Sequence, residues 1–271
     1  MANNDTSAPI TSGEYKKVTE ELYKQNLELA RLYKQVDDLN KQRESLVHLV
    51  THKVKGSFTR SKYIFAEMLE GTFGPISPDL KKIATQGLES DNMGIETVDL
   101  VLNADNLQKG TVKYDMQVID FKDLVLKMID EKKIPIETKG LKLETSIQDG
   151  SKDGPYNILG DAFWLKEAVH NLIENSIKYT KQGKITIGLT KKDNKVLLSV
   201  RDTGVGITDV DKKNLFTEGG RGIDSVKVNV DSTGYGLFTV KLVVTAHQGK
   251  VWAESLGEGK GATFWIELPL K

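Results

Sequence analysis

The sequence predicts an α+β chain in two parts. The amino-terminal part is a coiled coil and helical hairpin that pair with a second copy as a dimeric four-helix bundle, and the carboxy-terminal part is an α/β sandwich. Three observations predict it. Apolar residues recur at alternating spacings of three and four from Tyr15 to Val50, the pattern of a coiled-coil seam. A second helical pattern follows the turn-rich stretch Glu70-Gly-Thr-Phe-Gly-Pro75, and two antiparallel helices with exposed apolar stripes are half of a dimeric bundle. After Gly110, short alternating runs are interleaved with helical ones, which is the texture of helices laid on one face of a sheet.

In chain order, residues 1–13 are small and polar and read as a flexible tail. Residues 14–45 form the coiled-coil helix. Tyr15, Leu22, Leu29, Val36, Arg43 and Val50 fall at a positions, and Val18, Gln25, Leu32, Leu39 and Leu46 at d. Gln25 and Arg43 interrupt the seam, which weakens it while fixing register. A single long amphipathic helix packed inside a monomer stays open as an alternative. Residues 46–110 hold the hairpin. Its first helix runs past His52 toward Leu69; its second starts near Ser77-Pro78-Asp79, where serine can cap and proline suits the first turn. That helix ends near Lys109-Gly110, with Gly87 and Gly94 arguing against its regularity. Residues 111–271 make the sandwich. Helices are expected over Asp120–Ile134, Asp161–Tyr179 and Leu237–His247. Strands are expected over Leu141–Ile147, Lys184–Leu189, Lys195–Val200 and Ala262–Leu268.

Lysine plus arginine equals aspartate plus glutamate at 38 each, which argues against nucleic acid as the partner. The absence of cysteine excludes disulfides, thiolate metal sites and cysteine nucleophiles. No apolar run is long enough to cross a bilayer, so no membrane contact by this chain itself is expected.

Four short motifs carry the chemistry: Asn171-Leu-Ile-Glu-Asn175-Ser-Ile-Lys178-Tyr179-Thr180, Asp202-Thr-Gly204-Val-Gly206-Ile207, Gly219-Gly220-Arg221-Gly222 and Thr233-Gly234-Tyr235-Gly236-Leu237. Asn171 and Asn175 lie one turn apart on one helical face, and their amide oxygens suit a magnesium ion that keeps phosphate and water ligands. Lys178 can meet a phosphate and Tyr179 a base. Asp202 can accept from a purine amine. Gly204 and Gly206 permit a sharp turn, and Gly234 and Gly236 precede a helix whose first N–H groups can bind an anion. Taken singly these are a helix cap, a turn and a loop. In this order and context they describe a nucleotide site.

The arrangement resembles the ATP-binding domain of sensor histidine kinases, in the GHKL or Bergerat superfamily with gyrase, Hsp90 and MutL. Asn171–Thr180 looks like the N box, Asp202–Ile207 the G1 box, Phe216 the F-box region and Thr233–Leu237 the G2 box. The resemblance implies ATP as cofactor, with Mg2+ held through its phosphates by Asn175 and Asn171. It further implies nucleotide contacts from Asn171, Asn175, Lys178, Tyr179, Asp202, Gly204, Gly206, Ile207, Arg221, Thr233, Gly234, Gly236 and Leu237. Residues 208–232 would form the lid over ATP, with Arg221 touching its phosphates. ATPases of the superfamily carry a water-activating glutamate where this chain has Asn171, and a site without that base suits transfer to another acceptor.

The acceptor implied by resemblance is His52. Ser45-Leu-Val-His-Leu-Val-Thr51-His52-Lys-Val-Lys-Gly-Ser-Phe-Thr59 looks like the H box, which makes residues 46–110 the dimerisation and phosphotransfer domain of a homodimer. The phosphoryl group would pass to an aspartate on a response-regulator receiver domain. The location implied is cytoplasmic, as the cytoplasmic portion of a longer, membrane-anchored sensor if the parent has one. Two positions depart from the family. Lys53 replaces the acid that takes the imidazole proton, so slow autophosphorylation is expected. Gly56 replaces the side chain that positions water for dephosphorylation, so phosphatase activity is expected to be weak or absent. These departures support an alternative, a degenerate member that binds ATP and acts as a dimeric signalling scaffold. His247 is expected to pack at a helix end, and Glu174, beside Asn175, to point off the face the asparagines share.

Overall fold

A computed structural model describes residues 12–147, 155–220 and 234–271. The chain divides into two compact units, Met1–Ala84 and Thr85–Lys271.

In the first unit, α1 runs unbroken over Ser12–Glu70, a rod of about 90 Å at 1.5 Å per residue. Its seam residues Leu22, Leu29, Leu32, Val36 and Leu39 are all exposed. The helix stops in a left-handed turn: Gly71 and Gly74 have φ of 85° and 89°, and the Thr72 N–H bonds the Glu67 carbonyl at 3.1 Å. That bond is the six-to-one closure of a glycine-ended helix. The next helix, α2, spans Pro78–Gln108. Ser77 caps it, its hydroxyl accepting the Leu80 N–H at 3.2 Å, and Gly87 and Gly94 do not break it.

The second unit is built on a five-stranded sheet. Its strands are β2 (Lys142–Ile147), β4 (Lys184–Lys192), β5 (Lys195–Asp202), β7 (Thr263–Pro269) and β6 (Lys250–Glu254), in that spatial order. The β2–β4 pair is parallel and the others are antiparallel. A separate antiparallel ribbon joins β1 (Gln117–Asp120) to β3 (Asn157–Gly160). Strand alternation sends Ile185, Ile187, Val196, Leu198, Val200 and Ile266 into the core. There they meet α3 (Phe121–Thr138), α4 (Ala162–Tyr179) and α6 (Gly236–Ala246), with the short α5 (Asp209–Lys212) beyond β5. Each fully buried branched side chain contributes about 1.5–3 kcal/mol. Opposite that face, Trp252 and Trp265 are register partners and stack at 5.7 Å.

The α+β class, the sheet and the helices covering one face agree with the sequence reading. Strands β1, β3 and β6 were not anticipated: they are four or five residues long and become strands only through pairing. Helix α3 also runs four residues beyond Ile134. Pro135 lies in its last turn, where its missing N–H forfeits one bond, and Ile136 is fully buried there.

Candidate functional site

The site is assembled on the carboxy-terminal turns of α4. Asp161 starts that helix as its N-cap, accepting the Phe163 and Trp164 N–H groups at 2.9 and 3.2 Å. The apolar face of α4, including Leu165, Val169, Leu172 and Ile173, is buried. That leaves Asn171, Asn175, Lys178 and Tyr179 half-buried at the edge. The Asn171 amide donates to the Glu167 carbonyl at 2.9 Å, which fixes the side chain along the helix. Its oxygen faces the start of α6, so close that a Cβ on Gly236 would lie 3.1 Å away. Glu174 is drawn off this face into an ion pair with Lys132 of α3.

The end of β5 supplies Asp202, which is 4% exposed. Its Oδ1 accepts the Gly204 N–H at 2.9 Å and the Ala262 N–H at 3.2 Å. Burial pushes the carboxyl up from the ordinary aspartate range, while those two N–H groups and the neighbouring Ser176 hydroxyl favour the carboxylate. Ser176 is fully buried, and its hydroxyl makes no hydrogen bond among the described residues. With Oδ1 committed twice, Oδ2 can accept an amine from outside.

The loop after Asp202 is locked on both sides. A Cβ on Gly204 would lie 2.3 Å from the Tyr179 carbonyl oxygen, and the Val205 N–H bonds that oxygen at 3.2 Å. Gly206 has φ of 75°, and a Cβ there would lie 2.0 Å from the Gly257 carbonyl oxygen. The Ile207 N–H donates to the Ser255 hydroxyl at 3.0 Å. Lys139 donates to the Ile177 and Lys178 carbonyls, closing the end of α4. Sequence reasoning missed Ser255 and Lys139, since no spacing rule links them to motifs 38 or more residues away.

Helix α6 begins at Gly236, and the side chain of its N-cap residue Tyr235 makes no capping hydrogen bond; the first N–H groups of such a helix suit an anion. Gly234, at φ of 74°, packs against the Gly219 backbone: a Cβ would lie 2.7 Å from its carbonyl carbon. Leu237 and Phe216 lean on the core. Arg221 and Thr233 lie outside the described residues, as do residues 221–232 of the expected lid. The structure therefore brings Asn171 to Gly236 and Tyr179 to Gly204, with the Asp202 carboxylate against Gly204. In the other unit, His52 is exposed on α1. His247 packs at the end of α6, buried as expected.

Among the described residues, no group of three or more His, Cys, Asp or Glu could hold a metal ion. A divalent ion at α4 would rest on amide oxygens, phosphates and water, the ligand set magnesium accepts. No helix among the described residues is long and apolar enough to cross a membrane.

A family model described as "Histidine kinase-, DNA gyrase B-, and HSP90-like ATPase" matches residues 160–271, which takes in α4, Asp202, Gly236 and α6. The chain is 24% identical over 280 residues to the adaptive-response sensory kinase SasA of Synechococcus sp. (strain JA-3-3Ab), covering 99% of this chain and 69% of that protein. It is 25% identical to the sensor histidine kinase GacS of Pseudomonas protegens, covering 64% of this chain and 19% of that protein. Among solved structures, full-length ShkA in complex with AMPPNP has a similar fold, with a TM-score of 0.66 at 21% identity. The likeness covers 83% of this chain and 45% of that one.

Proposed function

We propose a specific reaction for this chain, whose carboxy-terminal domain belongs to the histidine kinase-, DNA gyrase B- and HSP90-like ATPases and which is a histidine kinase catalytic core. In it, Mg–ATP held beside α4 phosphorylates His52, and the phosphoryl group passes to an aspartate on a response-regulator receiver domain. The acting form is a homodimer with residues 46–110 as its dimerisation and phosphotransfer domain. Consumption of ATP suits a cytoplasmic location.

Two contacts carry the reading: Asn171 meets Gly236, and the buried Asp202 carboxylate holds the Gly204 N–H beside the Tyr179 carbonyl. They supply an amide oxygen on α4, the start of α6 and an amine acceptor at the end of β5. Asp202 would accept the adenine amino group. The first N–H groups of α6 and Lys178 would take phosphate oxygens, and Asn171 and Asn175 would reach the magnesium. The ion supplies neutralisation of charge on the phosphates. As an imidazole nitrogen of His52 bonds to the γ-phosphorus, the bond to the β,γ-bridging oxygen breaks. ADP leaves with that electron pair, and the imidazole proton passes to water. Hydrolysis is disfavoured because Asn171 stands where a base for water would be needed and Glu174 is held by Lys132. The exposed seam of α1 supports pairing with a second copy.

The test is incubation of the chain with γ-labelled Mg–ATP. Acid-labile, base-stable label that is lost in His52→Ala is the expected result. Bound ATP with no label would instead leave a scaffold, and steady phosphate release would leave an ATPase.

A further inference from the structure

We propose that Arg60 is a further catalytic residue: its guanidinium, laid across Gly56 on α1, contacts the phosphoryl group as it joins His52 and holds it there. The proposal rests on the reading of His52 as acceptor and adds a residue that neither the motifs nor the comparisons assign.

The geometry comes from the helix itself. His52, Gly56 and Arg60 follow one another along an i, i+4 row of α1, and helical side chains lean toward the amino terminus over the preceding turn. Arg60 leans over residue 56, where glycine leaves nothing in its way. Its Nη1 lies 3.5 Å from the position a Cβ of Gly56 would take. Residues 52 and 56 are one turn apart, about 6 Å along the axis. The imidazole leans the same way from position 52, so the guanidinium meets its phosphoryl group by swinging its stem toward the amino terminus from the level of Gly56. Both His52 and Arg60 are exposed.

The charge along this stretch of α1 favours an anion. From Ser45 to Ala66 there is no aspartate or glutamate, while Lys53, Lys55, Arg60 and Lys62 are all basic. Thr59 does not compete for the same place, since its hydroxyl turns back onto the Lys55 carbonyl at 2.8 Å. Arginine suits the task by its planar fork of donors, which matches two phosphoryl oxygens at once. The step balances as already written: the guanidinium gains hydrogen bonds to oxygens of the transferred group and neither gains nor loses a proton.

The test uses the full chain with γ-labelled Mg–ATP and compares Arg60→Gln, Arg60→Lys, Gly56→Ala, Gly56→Leu and Lys62→Gln. One or two charge-assisted hydrogen bonds predict that Arg60→Gln slows labelling roughly ten- to a hundredfold, with KM for ATP within about twofold. Arg60→Lys should recover part of the rate, since it keeps the charge and loses the fork. Gly56→Ala should be mild, because 3.5 Å is an ordinary contact for a Cβ. Gly56→Leu should mimic Arg60→Gln, and the double variant should be no worse than either single one. Lys62→Gln, which removes one charge elsewhere on the same helix, should label normally.

A second measurement bypasses ATP. Phosphoramidate phosphorylates imidazole directly, and label at His52 should be retained longer in the parent chain than in Arg60→Gln. Normal labelling and retention in Arg60→Gln would overturn the proposal while leaving His52 as acceptor. Loss of rate in Lys62→Gln equal to that in Arg60→Gln would also overturn it, because net charge alone would then suffice. If the parent chain takes no label at His52 from ATP, both readings fall.

Discussion

The imidazole of His247 accepts the backbone N–H of Asp161 on Nε2 at 2.9 Å. Its Nδ1 meets the Val243 carbonyl at 2.7 Å. An amide N–H can only donate and a carbonyl can only accept, so the ring is neutral with its proton on Nδ1. This contact joins the end of α6 to the start of α4, the two helices that carry Gly236 and Asn171 of the candidate site. Gly160 makes room for it, since a Cβ there would lie 2.9 Å from the ring.

Burial holds His247 below the ordinary histidine range, against the smaller opposing effects of the Val243 carbonyl and Asp161. A depressed histidine leaves its stabilising contribution intact above the unfolded value of about 6.5. That contribution is lost as pH falls from there through the folded value. The thermal midpoint of the carboxy-terminal domain should therefore drop as pH is lowered through this window. His247→Gln should be less stable at neutral pH and show a shallower slope over the same interval. Parallel slopes by calorimetry would dissociate the ring from the acid response.

Asp202 gives the opposite sign. Its raised carboxyl means the folded state binds a proton more tightly than the unfolded chain, so the ionised form opposes folding at neutral pH. Asp202→Asn keeps an oxygen for the Gly204 and Ala262 N–H groups. It should melt no lower than the parent at pH 7, while ATP affinity falls roughly tenfold or more. An unchanged affinity by titration calorimetry would remove Asp202 from base recognition.

Gly236 is constrained by Asn171. A valine there would press its branched carbon on an oxygen already 3.1 Å from the Cβ position. Gly236→Val should cost roughly tenfold or more in ATP binding, and Gly236→Ala less, with unchanged circular dichroism. Binding equal to the parent in the valine variant would show that this contact does not shape the site.

The seam of α1 predicts self-association. Leu32 and Leu39 are 50% and 64% exposed, and covering such residues in a second copy contributes about 1.5–3 kcal/mol each. Leu32→Glu with Leu39→Glu should shift sedimentation from dimer toward monomer at micromolar concentration. A parent chain that sediments as a monomer throughout would discard the coiled coil.

Lys53 stands where a base for the imidazole proton would serve. Lys53→Glu should speed labelling of His52 roughly tenfold or more. An unchanged rate would show that proton removal does not limit the step.

The sequence by itself determined the long helix, its glycine stop, the capped second helix, the α+β class and the order of the four nucleotide motifs. Each of these is local. Heptad spacing, Ser77 before Pro78, Asp161 before an apolar face and alternation along β5 are all written within a few residues. Glu174 too is legible, since it adjoins Asn175 and a helix turns adjacent residues about 100° apart. Only the tertiary structure decided what depends on distant partners. Strands β1, β3 and β6 exist through pairing, and α3 passes Pro135 because Ile136 is buried. Ser255 and Lys139 brace the loop and helix of the site across the fold. The physical reason is the same in each case: a hydrogen bond or a buried face has no sequence period when its partner lies on another element.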